Sequence, residues 1–321
     1  MDREKIIGTE EIKEYFLNLE NQINVRVDLA REARKTGVDI APDIETFPAA
    51  GIAEKTEVLT GPKGVAKVYN DLWDLYKNRE KVMLDIFNLI LDRKLGDIED
   101  PEKRLDQAIR TAIVILTEAV VVSPLDGIPN IKISKNVDGS KYVDIYFAGP
   151  IRAAGGTGQT WPLILADLAR KKLHLDVYKP SKKEIDRIVE ELNIYQNEVV
   201  VRQLKMTEEE MRIIAENCPI CVNSWPDSAV EVIINRDLER IKSNRLREAM
   251  CLVLIDGIFV RKEKILKIAR KQALNWNWLE QMIKVKKTTE NIIEIKPNFK
   301  YLEGIAAGRP VYAYPSKPGG F

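Results

Sequence analysis

The stretch KYVDIYFAGPIRAAGGTGQTWPLILADLARKKL, residues 141–173, decides how this chain is read. Its first seven residues alternate in character, as a strand with one buried face does. Four glycines follow between 149 and 158, and after them apolar residues recur at helical spacing. Immediately upstream, IPNIKIS (128–134) alternates too, and Asp138-Gly139 stands between the two runs. A strand, an Asp-Gly turn and a second strand are the signal of a hairpin. The order read here is hairpin, glycine-rich turn, helix.

Upstream, helical periodicity dominates. In residues 10–35, Ile12, Phe16, Leu19, Ile23, Val27 and Ala30 share one stripe, with Thr9 placed to cap the start and Gly37 the stop. Gly37 to about Gly64 reads as a surface loop. Residues 65–95 are helical again, and a further helix starts near Pro101 with acidic neighbours. The centre of that helix, AIRTAIVILTEAVVV, is apolar nearly all round, which predicts burial. Downstream, Pro180-Ser181 and Met206–Glu210 open two more helices, the second by a capping box. SAVEVIINRD (228–237) and MCLVLIDGIFV (250–260) read as strands, and residues 262–284 as one or two helices.

The expected fold is α+β: a helical N-terminal part, then a mixed α/β module with a KH-like element, then the start of a β-rich core at the C-terminal end. Residues 1–60 are read as amphipathic helix and wrapping loop, 61–125 as a helical domain, 126–287 as a basic α+β module, and 288–321 as a linker leading into that core. The last piece, ending Gly-Gly-Phe, is too short for a core of its own, so it packs back or begins something longer.

Composition narrows the chemistry. Lys and Arg number 50 and Asp and Glu 49 in 321 residues, and 45% of residues are apolar. No 18-residue run is both apolar and uncharged, and the N-terminus carries charge from Asp2, so neither a membrane span nor a secretion signal is expected. Three cysteines, Cys218, Cys221 and Cys251, are too few for a disulfide scaffold. The expectation is a soluble, cytoplasmic chain. A single histidine, His174, sits at a helix end and leaves no His-based triad or multi-His metal site.

The glycine-rich turn is the sharpest local candidate. A strand, a glycine-rich loop and a helix form the layout of a phosphate cradle, with Arg152 adding charge. The lysine of a Walker loop is missing, and Trp161 stands where a dinucleotide fingerprint needs its third glycine. Gly155-Gly156-Thr157-Gly158 matches the GxxG backbone clamp of KH domains. The alternative is a tight turn that needs glycine for conformation or close packing. Cys218-Pro-Ile-Cys221 is half of a zinc knuckle with no second half, and a small buried hydrophobe is the simpler reading of each thiol.

Charge is concentrated in residues 236–287, with 14 Lys and Arg against 6 Asp and Glu. Arg236, Arg240, Lys242, Arg245 and Arg247 form one run and Arg261, Lys262, Lys264, Lys267, Arg270 and Lys271 a second, and such a concentration suggests a polyanion partner. Trp225, Trp276 and Trp278 are candidates for base stacking or for the core. Asp144, Asp237 and Asp256 fall near expected strand ends without a clustered motif, so no two-metal site is read from them.

Four collinear segments carry a resemblance: YFAGPIRAAGGTGQT, YKPSKKEIDRIVEELNIY, RDLERIKSNRLREAMCLVLIDG and AGRPVYAYPSKPGGF. Together, over about residues 50–321, they are similar to the large subunit of archaeal family D DNA polymerase. Two local departures are Ala153, where the family usually has Ser, and Glu248-Ala249, where it often has Gly-Gly. The resemblance implies a replicative DNA-directed DNA polymerase that pairs with a small subunit carrying the 3′→5′ exonuclease. It implies Mg²⁺ held by aspartates of an NADFDGD-type motif, which this chain lacks. It therefore implies an N-terminal portion with no catalytic residue and no cofactor of its own, inactive alone. Its expected partners are DNA, the small subunit, the remainder of the large subunit and a sliding clamp. Arg152, Gly155, Gly156, Gly158, Arg236, Arg240, Lys242, Arg245 and Arg247 are the expected DNA or phosphate contacts. Two other readings stand beside it: a stand-alone phosphate- or nucleotide-binding protein using the glycine turn, and a protein–protein scaffold built on residues 1–125.

Overall fold

The computed structural model of the chain describes residues 8–37, 51–118, 123–199, 205–226 and 228–288. Helix α1 (Glu10–Lys35) begins where the Thr9 hydroxyl accepts a hydrogen bond from the Ile12 N–H, with Glu10 and Glu11 in the first turn. Gly37, at φ 80°, ends it. Its apolar stripe is exposed at Ile12, Phe16, Leu19 and Ile23, and only Val27 is buried. The segment read as a loop from Gly37 to Gly64 contains helix α2 (Ile52–Leu59), which buries Ala53 and Thr56. The Pro and Gly residues at either end of that segment signal a loop, but the eight residues between them are compatible with a helix.

The 65–95 segment is two helices, α3 (Val65–Tyr76) and α4 (Arg79–Leu91). Lys77 turns left-handed at φ 46°, and the Asn78 side chain caps α4 by accepting from the Lys81 N–H. Helix α5 (Pro101–Thr117) starts at Asp100, which accepts from the Glu102 N–H, with Pro in the first turn. Leu105, Ile109, Ala112, Ile113 and Ile115 are buried, as the apolar centre predicts. A short helix, α6 (Ser123–Asp126), leads to the sheet.

Strands β1 (Asn130–Lys135) and β2 (Lys141–Phe147) form the expected antiparallel hairpin, with Gly139 at φ 83° in the turn. A third strand, β3 (Cys221–Ser224), runs parallel to β2, so the order is β1-β2-β3. It falls on the segment read for its cysteines, and four residues are too few to show an alternating pattern. The register sorts side chains by face, because directly paired residues share one. Ile131, Val143, Ile145, Phe147 and Val222 lie on one face and join the core. Lys132, Ser134, Tyr142, Asp144, Tyr146, Cys221 and Asn223 lie on the other. Helix α5 contacts β1, and helix α7 (Gly155–Lys172) contacts β2.

Helices α8 (Lys182–Ile194) and α9 (Glu208–Asn217) both begin with capping boxes, Ser181 with Glu184 and Thr207 with Glu210. Two strand readings are corrected. Residues 228–237 are irregular apart from a bridge between Glu231 and Arg245. The 250–260 run is helical: α10 (Glu248–Leu252) continues into a π-helical segment, Val253–Phe259. Nearly every side chain in it is buried, so its apolar residues show no period that separates helix from strand. Cys251 is therefore a buried helical residue, not a strand residue. Helices α11 (Lys262–Lys271) and α12 (Leu279–Thr288) follow.

The KH-like reading finds no support: the GxxG residues open α7 directly after a 3₁₀ turn, Gly149–Arg152, that follows β2. The linker and β-rich core expected after residue 288 lie outside the described residues. Backbone contacts divide the chain into a unit of residues 1–282 and a second of 283–321, whose described part is the end of α12.

Candidate nucleic-acid interface

The polar face of the sheet is the foundation of the site. Arg247 is only 4% exposed. Its guanidinium donates to Glu191 Oε2 at 2.6 Å and to Asn223 Oδ1 at 3.0 Å, joining α8 to β3. The sequence groups Arg247 with exposed cations; the structure places it inside, in an ion pair. Arg187, fully buried on α8, donates to the carbonyls of Asn235 at 2.7 Å, Ser243 at 2.9 Å and Arg245 at 3.2 Å. Glu190 accepts from the N–H groups of Ile233, Ile234 and Asn235 at 2.6–2.8 Å. Burial acts to raise the Glu190 carboxyl, but these three donors prevail and hold it below its ordinary value. Two side chains of α8 thus fix a loop that has almost no secondary structure.

Arg240 donates to Glu184 Oε1 at 2.7 Å and to the Lys179 carbonyl at 3.0 Å, with its guanidinium over the Tyr178 ring. Burial raises Asp144 above the usual carboxylate range, against the opposing pull of Cys221, Asn223 and Arg247. Burial likewise raises the thiols of Cys218, Cys221 and Cys251, and the first is pushed up to about 12. All three are free. Among the described residues, no three of His, Cys, Asp and Glu converge on a metal position. Asp144 is in β2, Asp237 in the irregular loop and Asp256 in the π-helical segment.

The remaining cations differ in availability. Arg236 is exposed and pairs with Glu231 at 3.0 Å, and exposed Arg152 lies 3.9 Å from Glu248. Lys242 and Arg245 are exposed and carry no acidic partner among the described residues. Helix α11 buries Ile265, Leu266 and Ala269 and exposes Lys264 and Lys267, which also lack acidic partners there. Lys271 is held by Glu80 at 2.6 Å and Arg270 by Glu280. The sequence places Lys264 and Lys267 in its second basic run but not among the expected contacts, although the amphipathic period of α11 marks them as outward-facing.

The glycine turn packs against a distant side chain. Gly155 has φ 63°, Gly158 is buried, and a Cβ at Gly156 would overlap the Arg261 guanidinium, which also donates to the Asp256 carbonyl. The Arg261 side chain therefore packs directly on Gly156 and leaves no room for a larger residue there. His174 has φ 54° just past α7, and its N–H donates to the Lys171 carbonyl.

The tryptophans part company. Trp276 is buried and donates to Asp167 at 2.9 Å. Trp278 lies against it, with ring centres 5.6 Å apart. Trp225, just past β3, is 50% exposed and packs on Tyr146, centre to centre 5.4 Å. Beside this pair opens a cavity of about 390 Å³ whose lining includes Lys132 and Lys242.

Exposed cations and an exposed aromatic ring on a rigid scaffold are the physical make-up of a nucleic-acid-handling protein. Sequence similarity points the same way: residues 14–285 match the family described as DNA polymerase II large subunit DP2, N-terminal, and residues 286–321 its central domain. The chain belongs to this DNA polymerase II large subunit family. It is 39% identical over 327 residues to the DNA polymerase II large subunit of Methanococcoides burtonii, covering 99% of this chain. It is 40% identical to that of Methanothermobacter thermautotrophicus over 96% of this chain, and 36% identical to that of Pyrococcus furiosus over 97%. The chain spans 27–28% of the length of these curated relatives. Among the described residues, no helix is long and apolar enough to cross a membrane.

Proposed function

We propose that this chain serves a replicative DNA polymerase as a module that holds DNA and braces the catalytic part. The observation that carries the DNA role is the set of exposed cations without acidic partners among the described residues: Lys242, Arg245, Lys264 and Lys267. Polymer phosphates would release counterions on meeting them. Arg236 and Arg152 join this set where a phosphate displaces their carboxylates, whereas Arg240 and Arg247 act through the scaffold. Synthesis itself, its Mg²⁺, and the exonuclease of a small partner subunit belong to polypeptide outside these residues. A stand-alone phosphate-binding role for the glycine turn is the alternative reading, with the Arg261 guanidinium packed on Gly156. The test is a titration of duplex DNA at several salt concentrations. A negative, linear slope of log K against log[salt] is expected, and a flat line contradicts the role.

A second reading concerns α1. Its exposed Ile12, Phe16, Leu19 and Ile23 favour assembly with the small subunit or the rest of the large subunit. Deleting residues 10–35 is expected to weaken that assembly; unchanged assembly and self-association contradict it.

A further inference from the structure

We propose that the cavity beside Tyr146 and Trp225 is a single-nucleotide pocket, taking one unstacked base of single-stranded nucleic acid on the Trp225 ring and its flanking phosphates on Lys132 and Lys242. The inference rests on the DNA-handling reading above and adds which form of nucleic acid this site takes.

Strand pairing builds half of the pocket. Lys132 and Tyr146 sit diagonally across the β1–β2 hairpin on one face, which brings the Lys132 ammonium 5.0 Å from the centre of the Tyr146 ring. Asn223 pairs with Tyr146, and β3 ends one residue later at Ser224, so that Trp225 emerges beside the ring. The two rings meet at 39°, and one face of the pair is spent on this contact. Half of the indole nevertheless remains open to solvent, at the mouth of a cavity. Every base has a π-face, so such a platform binds single strands without regard to sequence.

The opposite wall, residues 240–243, is set in advance. Arg240 is anchored to Glu184, Arg187 holds the Ser243 carbonyl, and Ile241 is buried. A wall already ordered loses little freedom when a ligand arrives. Charge favours an anion here. Arg240 and Arg247 are neutralised by Glu184 and Glu191, whereas Lys132 and Lys242 have no acidic partner among the described residues and supply the positive charge of the cavity. The Tyr146 hydroxyl, pushed up to about 12 by burial, is hydrogen-bonded to Asp144, so the pocket uses the ring of Tyr146 and not its hydroxyl. At about 390 Å³ the space suits one nucleotide and admits no stacked duplex. Two lysines match phosphodiesters rather than a triphosphate, which needs a denser set of donors.

The test uses the full chain and fluorescence anisotropy, with labelled oligo-dT and a labelled duplex as probes. Trp225→Ala is expected to weaken oligo-dT binding by about fivefold to a hundredfold, the range for removal of one stacked base. Duplex binding is expected to change by less than about twofold, because phosphate contacts carry it. Trp225→Phe should restore most of the oligo-dT affinity, and an unchanged thermal midpoint for both variants shows that the fold is intact. Equal weakening for both probes, or undiminished oligo-dT binding, overturns the pocket. Should wild-type chain bind the duplex with a salt slope while Trp225→Ala leaves oligo-dT binding intact, only the pocket is overturned. Should wild type bind neither probe, the DNA-handling reading falls with it.

Discussion

At the scale of single residues, Arg247 differs from the rest of its charge run because it forms a buried ion pair with Glu191. Both are buried and answer each other's charge, so removing one strands the other in the interior. Glu191→Gln is expected to destabilise the fold by about 3–5 kcal/mol, read as a lowered urea midpoint. A cost under about 1 kcal/mol would show the pair to be solvated after all. Glu190, one residue earlier, acts through pH. Its folded-state pKa lies below the unfolded value, so its contribution is fully present above the unfolded pKa and fades as pH falls through the folded one. Below about pH 4, wild type should therefore lose stability faster than Glu190→Gln, and parallel profiles would refute that. Nothing in the spacing of Arg236, Arg240, Lys242, Arg245 and Arg247 distinguishes the buried member from the exposed ones. The difference is tertiary, set by where α8 places Glu184 and Glu191.

At the scale of elements, those with local start signals are legible in the sequence. The Thr207 cap is one: its hydroxyl accepts from the Glu210 N–H at 3.2 Å, and Glu210 reaches back to the Thr207 N–H at 3.0 Å. Thr207→Ala should cost about 1 kcal/mol, measured by thermal or urea unfolding, and no cost would contradict the capping account. The Asp138-Gly139 hairpin is legible for the same reason. Helix α10 with its π-helical continuation is not, because burial on every side erases the amphipathic period. Strand β3 is too short to declare itself and is defined by its partner β2. The glycine turn is visible in the sequence, but its role is not: the Arg261 guanidinium that meets Gly156 comes from more than a hundred residues away. The buried thiols add a check on this packing. Cys218, Cys221 and Cys251 should resist a thiol reagent in the native state and react once urea unfolds the chain; rapid native labelling would mean the interior around β3 and α10 opens readily.

At the scale of the whole molecule, α1 and the rest of the first unit carry different loads. Helix α1 buries only Val27, so truncating residues 1–37 should move the thermal midpoint by less than about 2 °C. A large drop would show the helix to be part of the core. The α+β class and the basic character of residues 236–287 are legible in the sequence, while the aromatic–cationic pocket is not, because its walls come from β1, β2, β3 and the loop before α10. The central claim is that DNA phosphates meet the cations without acidic partners. It is tested most directly by replacing Lys242, Arg245, Lys264 and Lys267 with Gln together and repeating the duplex titration against salt. The account predicts weaker binding and a slope that flattens by about one unit for each phosphate no longer neutralised. An unchanged slope and affinity would contradict it.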